Sequence, residues 1–140
     1  MTSFEAKARA IILKDNKVFL SKWVKSQTYY LPGWTHEIGE SLTDSLYREI
    51  YEEFGVKAEI DKLIAVRELL IWERNILDFW FLVKNIDDFL NIDKSKCSHW
   101  FEWDDARFFS EEELENISVL PKDIFEIIRK SKENVLVELI

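Results

Sequence analysis

The sequence predicts an α/β fold, a mixed β-sheet flanked by helices, and three patterns carry that expectation. Apolar runs broken by turn residues fill the first third of the chain, one helical period of apolar residues stands in the middle, and further helical patterns close it. At 140 residues the chain has the size of one domain, residues 1–140, able to bury a core without disulfides or structural metal.

Ala6 to Leu13 is rich in apolar residues, Asp15-Asn16 punctuates it, and Val18 to Trp23 resumes, which reads as a β-hairpin. Tyr29, Tyr30 and Leu31 form a short strand ended by Pro32-Gly33, and a loop follows to Ser41. Thr43 is the expected N-cap of a helix reaching about Phe54, with Leu42, Leu46 and Ile50 on its core face and Gly55 as its stop. Ala58 to Ile71 and Ile76 to Val83 read as a second hairpin, turning at Glu73-Arg74-Asn75. Asn85 to Ser98 is polar and reads as a connecting loop. Trp100 to Trp103 and Ala106 to Phe109 read as short strands around Asp104-Asp105. Ser110 followed by Glu113 is a capping box opening a helix to about Ile117, and Leu120-Pro121 starts a last helix to about Ser131.

Composition narrows the function. Nearly half the residues are apolar and a third are charged, the balance of a globular chain. A net charge of −8 argues against a protein that grips long nucleic acid, because that grip depends on Lys and Arg neutralising phosphates. The apolar run Ile76 to Val83 is interrupted by Asp78 and is too short for a membrane span, so no membrane partner is expected. Cys97 is alone, and no secretory leader is evident, which points to a reducing cytoplasm. Six Trp and ten Phe supply core volume and also flat surfaces on which a base can stack.

The chemistry concentrates in the predicted helix. Glu49, Glu52 and Glu53 stand at i, i+3 and i+4, so their carboxylates share one side, just behind a loop built on Gly33 and Gly39. Hard divalent cations such as Mg²⁺ and Mn²⁺ prefer oxygen ligands and are commonly held by a few carboxylates plus substrate phosphates. Metal-assisted phosphate chemistry is the first expectation, with a small anionic substrate.

The stretch from Gly33 to Val56 resembles the Nudix box, the signature of hydrolases acting on nucleoside diphosphates linked to another moiety. Against the pattern Gly-x5-Glu-x7-Arg-Glu-U-x-Glu-Glu-x-Gly-U, with U a bulky aliphatic residue, Glu40, Arg48-Glu49-Ile50, Glu52-Glu53 and Gly55-Val56 all match in spacing. Trp34 stands where the pattern opens with glycine, directly after Gly33. A weaker similarity runs from Glu102 to Leu114, which is like the strand-then-helix segment of many Nudix proteins.

The resemblance implies a Nudix α/β/α sandwich and a small nucleotide substrate. It implies that Glu49, Glu52 and Glu53 are catalytic residues holding Mg²⁺ or Mn²⁺, with the Gly33 carbonyl as a further ligand and Arg48 and Glu40 as supporting groups. Glu102 is the candidate general base, and Glu53 is the alternative. Trp34 is either a core anchor of the loop or a ring in the substrate pocket. Arg67, Glu68 and Arg74, from the middle hairpin, are candidate pocket residues or ordinary charges of edge strands. His36 and His99 carry little weight beside these groups.

Three functions stay open. The first is hydrolysis of a nucleoside diphosphate derivative to a nucleoside monophosphate and a phosphorylated product. The others are a house-cleaning nucleoside triphosphate pyrophosphatase and a regulator that binds a nucleotide without cleaving it. Trp100, Phe101 and Trp103 also allow a homodimer interface.

Overall fold

The computed structural model describes residues 2–139, and the side chain of Trp100 lies outside the described residues. Its strands and helices run β1 (Ser3–Ile11), β2 (Leu13–Lys14), β3 (Lys17–Trp23), β4 (Tyr29–Tyr30), β5 (Gly33–Thr35), α1 (Leu42–Phe54), β6 (Ile60–Ile71), β7 (Arg74–Val83), β8 (Trp103–Ser110), β9 (Val119–Leu120), α2 (Ile124–Lys130) and β10 (Leu136–Glu138). One mixed sheet has the order β10-β6-β7-β1-β5; a second is built on β3, which pairs with β2, β4 and β8, while β9 adds to β4.

The expected α/β class is observed, with two sheets where the reading of strands anticipated one. The reason lies at Ile12, where the chain leaves the first sheet for the second. β1 lies parallel to β7 and antiparallel to β5. Only Leu13 and Lys14 turn back on Val18 and Lys17. Asp15 and Asn16 have φ of 50° and 61°, the paired positive values of a tight two-residue hairpin turn. The first hairpin is therefore shorter than expected, because β1 buries Ala8, Ala10 and Ile11 between other strands instead of pairing with β3.

Alternation along β1 and β7 sends side chains to two cores. Ala8, Ala10, Phe81 and Val83 pack with Leu46, Ile50 and Phe54 of α1, whereas Ile11 and Trp80 pack with Ile124, Phe125 and Ile127 of α2. The mixed sheet is thus covered on both faces by helices.

Other boundaries differ from the sequence pattern for local reasons. Ser41, not Thr43, caps α1: its hydroxyl accepts from the Asp44 amide at 3.1 Å, which puts Thr43 inside the helix. The middle hairpin turns at Trp72 and Glu73, so Arg74 and Asn75 already pair with Ile71 and Leu70. Trp100–Glu102 is a 3-10 turn, and Trp103 opens a single strand to Ser110 that pairs with β3 on both sides of a register shift at Asp104. Ser110 and Glu113 make the reciprocal bonds of a capping box, at 3.3 and 3.0 Å, yet they open only a 3-10 turn, Glu112–Asn116. β10 was not anticipated; it adds parallel to β6 at Ala65, Val66 and Arg67.

Candidate active site

α1 is held at both ends. Ser41 satisfies an amide of the first turn, and Gly55, at φ 68°, bonds back to the Tyr51 carbonyl at 2.9 Å, a left-handed stop that suits glycine. With Leu46, Ile50 and Phe54 buried, Glu49 and Glu53 are turned to a cavity of about 410 Å³ shared with Trp23, Trp34, His99, Phe101 and Glu102. Helical spacing explains the pairing, since residues four apart stack on one face.

Glu53 is only 5 % exposed. Burial, reinforced by the negative charges of Glu49 and Glu102, pushes its carboxyl pKa well above the ordinary range, with Arg9 opposing. Burial also raises Glu49, although Arg48 works against the rise. A cation brought to this cavity would relieve both.

Arg48 organises the remaining acids. Its Nε and Nη2 grip the Glu40 carboxylate at 3.0 and 2.9 Å, and its Nη1 reaches Glu49 at 3.2 Å and Glu52 at 3.3 Å. The bidentate contact lowers the Glu40 pKa and raises that of Arg48. Glu52 stands outside the cavity lining, between Arg48 and His99 Nδ1, which is 3.5 Å away. Among the described residues, no three acidic, histidine or cysteine side chains converge as a metal cage, and Arg48 contacts both Glu49 and Glu52.

His99, which carries little weight in the sequence, lies close to the acids of the site. It lies 3.5 Å from Glu52 and 3.7 Å from Glu102, and its amide donates to the Glu52 carbonyl at 2.9 Å. Nothing local signalled this: 47 residues of chain separate it from Glu52. Trp103 adds a second tie, donating from Nε1 to the Glu53 carbonyl at 2.8 Å. His36, by contrast, contacts the Glu40 carbonyl at 2.9 Å within its own loop.

Trp34 lines the cavity with 39 % of its surface exposed, stacked on Trp23 at 4.3 Å between ring centroids. The ring thus stands on the cavity wall and not in the core. Gly33 admits no side chain, since a Cβ would sit 2.0 Å from the Ala8 carbonyl oxygen and φ is 122°. Its own carbonyl accepts from Arg9 Nη1 at 2.9 Å. Arg9 was not singled out from the sequence, although a charged residue amid the alanines of a central strand is a signal. Arg67 and Arg74 line a different cavity on the far face of the first sheet, and Glu68 lines neither.

No protein-family model matches the chain. Among curated proteins, nucleoside diphosphate-linked moiety X motif 6 of Mus musculus is 30% identical over 60 residues, which are 43% of this chain and only 17% of that protein. Among solved structures, a UDP-X diphosphatase superposes with a TM-score of 0.74 at 22% identity, covering 98% of this chain and 68% of that one. A MutT NUDIX hydrolase from Burkholderia pseudomallei superposes at 0.70 with 18% identity, covering 86% and 94%. The fold is that of the Nudix hydrolases. The stretch from Gly33 to Val56 that resembles the Nudix box lies on β5, the loop after it and α1. No helix among the described residues is long and apolar enough to cross a membrane.

Proposed function

We propose that the protein is a divalent-metal-dependent pyrophosphohydrolase, cutting the diphosphate of a nucleoside diphosphate linked to another moiety into a nucleoside monophosphate and a phosphorylated product. One observation carries this reading: Glu53, buried at the end of an aromatic cavity with Glu49 and Glu102, on a helix whose other acids Arg48 holds. The likeness of the fold to a UDP-X diphosphatase agrees with it.

The donor set suits Mg²⁺ or Mn²⁺, being carboxylate oxygen throughout and carrying more negative charge than the cavity compensates. Glu49, Glu52 and Glu53 would hold the ion, and Glu49 and Glu52 would exchange contacts with Arg48 to do so. When bound, such an ion offsets the charge of the diphosphate and acidifies the attacking water. The Gly33 carbonyl keeps one lone pair beside its bond from Arg9 and is retained as a ligand candidate.

The protein's own groups do the rest. Glu102, on the cavity wall opposite α1, takes the proton of the attacking water, with Glu53 the alternative. Water adds to one phosphorus as the bridging P–O bond breaks, and the two halves leave as phosphate monoesters, the nucleoside monophosphate and the phosphorylated moiety. Trp23, Trp34 and Phe101 offer faces on which a base can stack. The single thiol, Cys97, is buried, which suits a cytoplasmic protein.

A panel of nucleotide sugars, ADP-ribose, dinucleoside polyphosphates and nucleoside triphosphates, assayed with Mg²⁺ or Mn²⁺ and with products identified, tests the reading. Cleavage between two phosphates, abolished by a chelator and reduced by roughly a hundredfold or more in Glu53→Gln, is the expected result. Tight binding with no turnover on the whole panel would instead make the protein a nucleotide-binding regulator.

A further inference from the structure

The Trp34 ring on the wall of the carboxylate cavity has Lys7 and Arg9 beside it, at 4.6 and 5.9 Å from its centroid, and these two side chains line a second cavity of opposite character. This cavity measures about 360 Å³ and opens on the face of the first sheet turned away from α1. Its charged lining is Lys7, Arg9, Arg67, Arg74 and one acid, Asp78. Four cations around a single carboxylate stand against the −8 charge of the chain as a whole.

The two rim arginines have carboxylate partners, Arg74 with Glu5 at 2.7 Å and Arg67 with Glu138 at 3.3 Å. Two inner groups do not share that state. Among the described residues no carboxylate pairs with Lys7, whose ammonium sits 4.6 Å from the Trp34 ring centroid. Burial and the charges of Arg9 and Arg74 push its pKa below the ordinary lysine value, with the more distant carboxylates of Asp78 and Glu5 opposing. Asp78 is 6 % exposed; its Oδ2 accepts from Trp80 Nε1 at 3.2 Å, whereas its Oδ1 has no hydrogen-bond partner and lies 3.7 Å from Arg9 Nε. A buried acceptor without a donor is costly, and one on a cavity wall is relieved by a donor from a ligand.

We infer that this cavity is the subsite for the moiety linked to the diphosphate, and that the moiety carries an anionic group, carboxylate or phosphate, for Lys7. A neutral flat base would leave Lys7 uncompensated and is served better by the aromatic cavity. The inference rests on the hydrolase reading, because the second cavity meets the carboxylate one where Arg9 lies beside the Trp34 ring and donates to the Gly33 carbonyl.

Calorimetry on the intact protein with Mg²⁺ present tests it using glucose 1-phosphate, glucuronate 1-phosphate and glucose 1,6-bisphosphate. One of the two acidic probes binds about tenfold more tightly than glucose 1-phosphate, the scale of one partly desolvated charge pair, and which one does so separates carboxylate from phosphate. In Lys7→Gln that preference falls to within about twofold. Equal affinity for all three probes, or a preference that survives Lys7→Gln, overturns the subsite. Hydrolysis plays no part in this readout. A protein that discriminates the probes but cleaves nothing would therefore sink the proposed reaction and keep the subsite, and the reverse result would do the opposite.

Discussion

Two cavities meet at Trp34, whose ring lines one and lies beside Lys7 and Arg9 of the other, and they are built in different ways. The acidic one is assembled around a single helix: Glu49 and Glu53 lie one turn apart, and Arg48 reaches Glu40 across a short loop. The cationic one is assembled across a sheet, from Lys7 and Arg9 on β1, Asp78 on β7, and Arg67 on β6. Chemistry placed by helical spacing tolerates a displaced neighbour. Chemistry placed by strand register does not, since Lys7 faces Asp78, and a slip of one residue would send every side chain to the other face.

The sheet-built cavity should therefore break hardest. Arg9 and Asp78 are both buried, and Arg9 also donates to the Leu31 and Gly33 carbonyls at 3.1 and 2.9 Å. Removing one partner strands the other, so Arg9→Leu is expected to lose about 3–5 kcal/mol in a denaturant titration. The double variant Arg9→Leu, Asp78→Leu should recover much of that loss, since two apolar groups demand no partner. If the double variant is as unstable as the sum of the singles, the two residues are not coupled.

The same contrast explains what could be read in advance. α1, its glycine stop and the spacing of its acids are local properties of a few turns, and the tight turn at Asp15-Asn16 is local as well. The pairing of β1 with β7 joins residues some seventy positions apart, and no periodicity within Ser3 to Ile11 encodes it. Arg9, Asp78 and β10 were missed for that reason. His99 and Glu102 come to the helix by way of the strand pairing of Trp103 with Trp23, and only Glu102 could be singled out, as an acid near the late strand.

On the helix side, Arg48 is the next point of attack. It is partly exposed, so its ion pairs add little stability, and Arg48→Ala should cost under about 1 kcal/mol. Its effect belongs to activity: losing the fork that orients Glu49 and Glu52 should reduce metal affinity or turnover about 10–100-fold. Arg48→Lys should restore little, because an ammonium cannot grip Glu40 bidentately. Full rescue by Lys would reduce the fork to a mere charge.

Glu53 gives the acidic cavity a pH signature. Its folded-state pKa lies above the unfolded value, so between the two the native protein holds the extra proton and stability falls as pH rises. Without metal, Glu53→Gln should melt a few degrees higher than the parent near neutral pH, and the gap should close as pH drops into the ordinary carboxylate range. Equal melting temperatures across that range would mean that Glu53 ionises freely, and the raised pKa would be wrong.

The smallest effect is expected where the two cavities meet. Trp34→Gly restores the residue with which the Nudix pattern opens and removes the ring stacked on Trp23. An aromatic pair is worth about 0.5–1.5 kcal/mol beyond its buried area, and Trp34 is well exposed, so the variant should fold with a modest loss. If Trp34 serves the substrate rather than the core, the kinetic loss falls in KM, since a stacking face binds ground state and transition state alike, while kcat stays within about threefold. The loss should also be larger for purine than for pyrimidine substrates, which stack with less area. A fall in kcat at unchanged KM would mean that the ring positions the Gly33 carbonyl or the metal loop, and would move Trp34 from the recognition of the substrate to the geometry of the reaction.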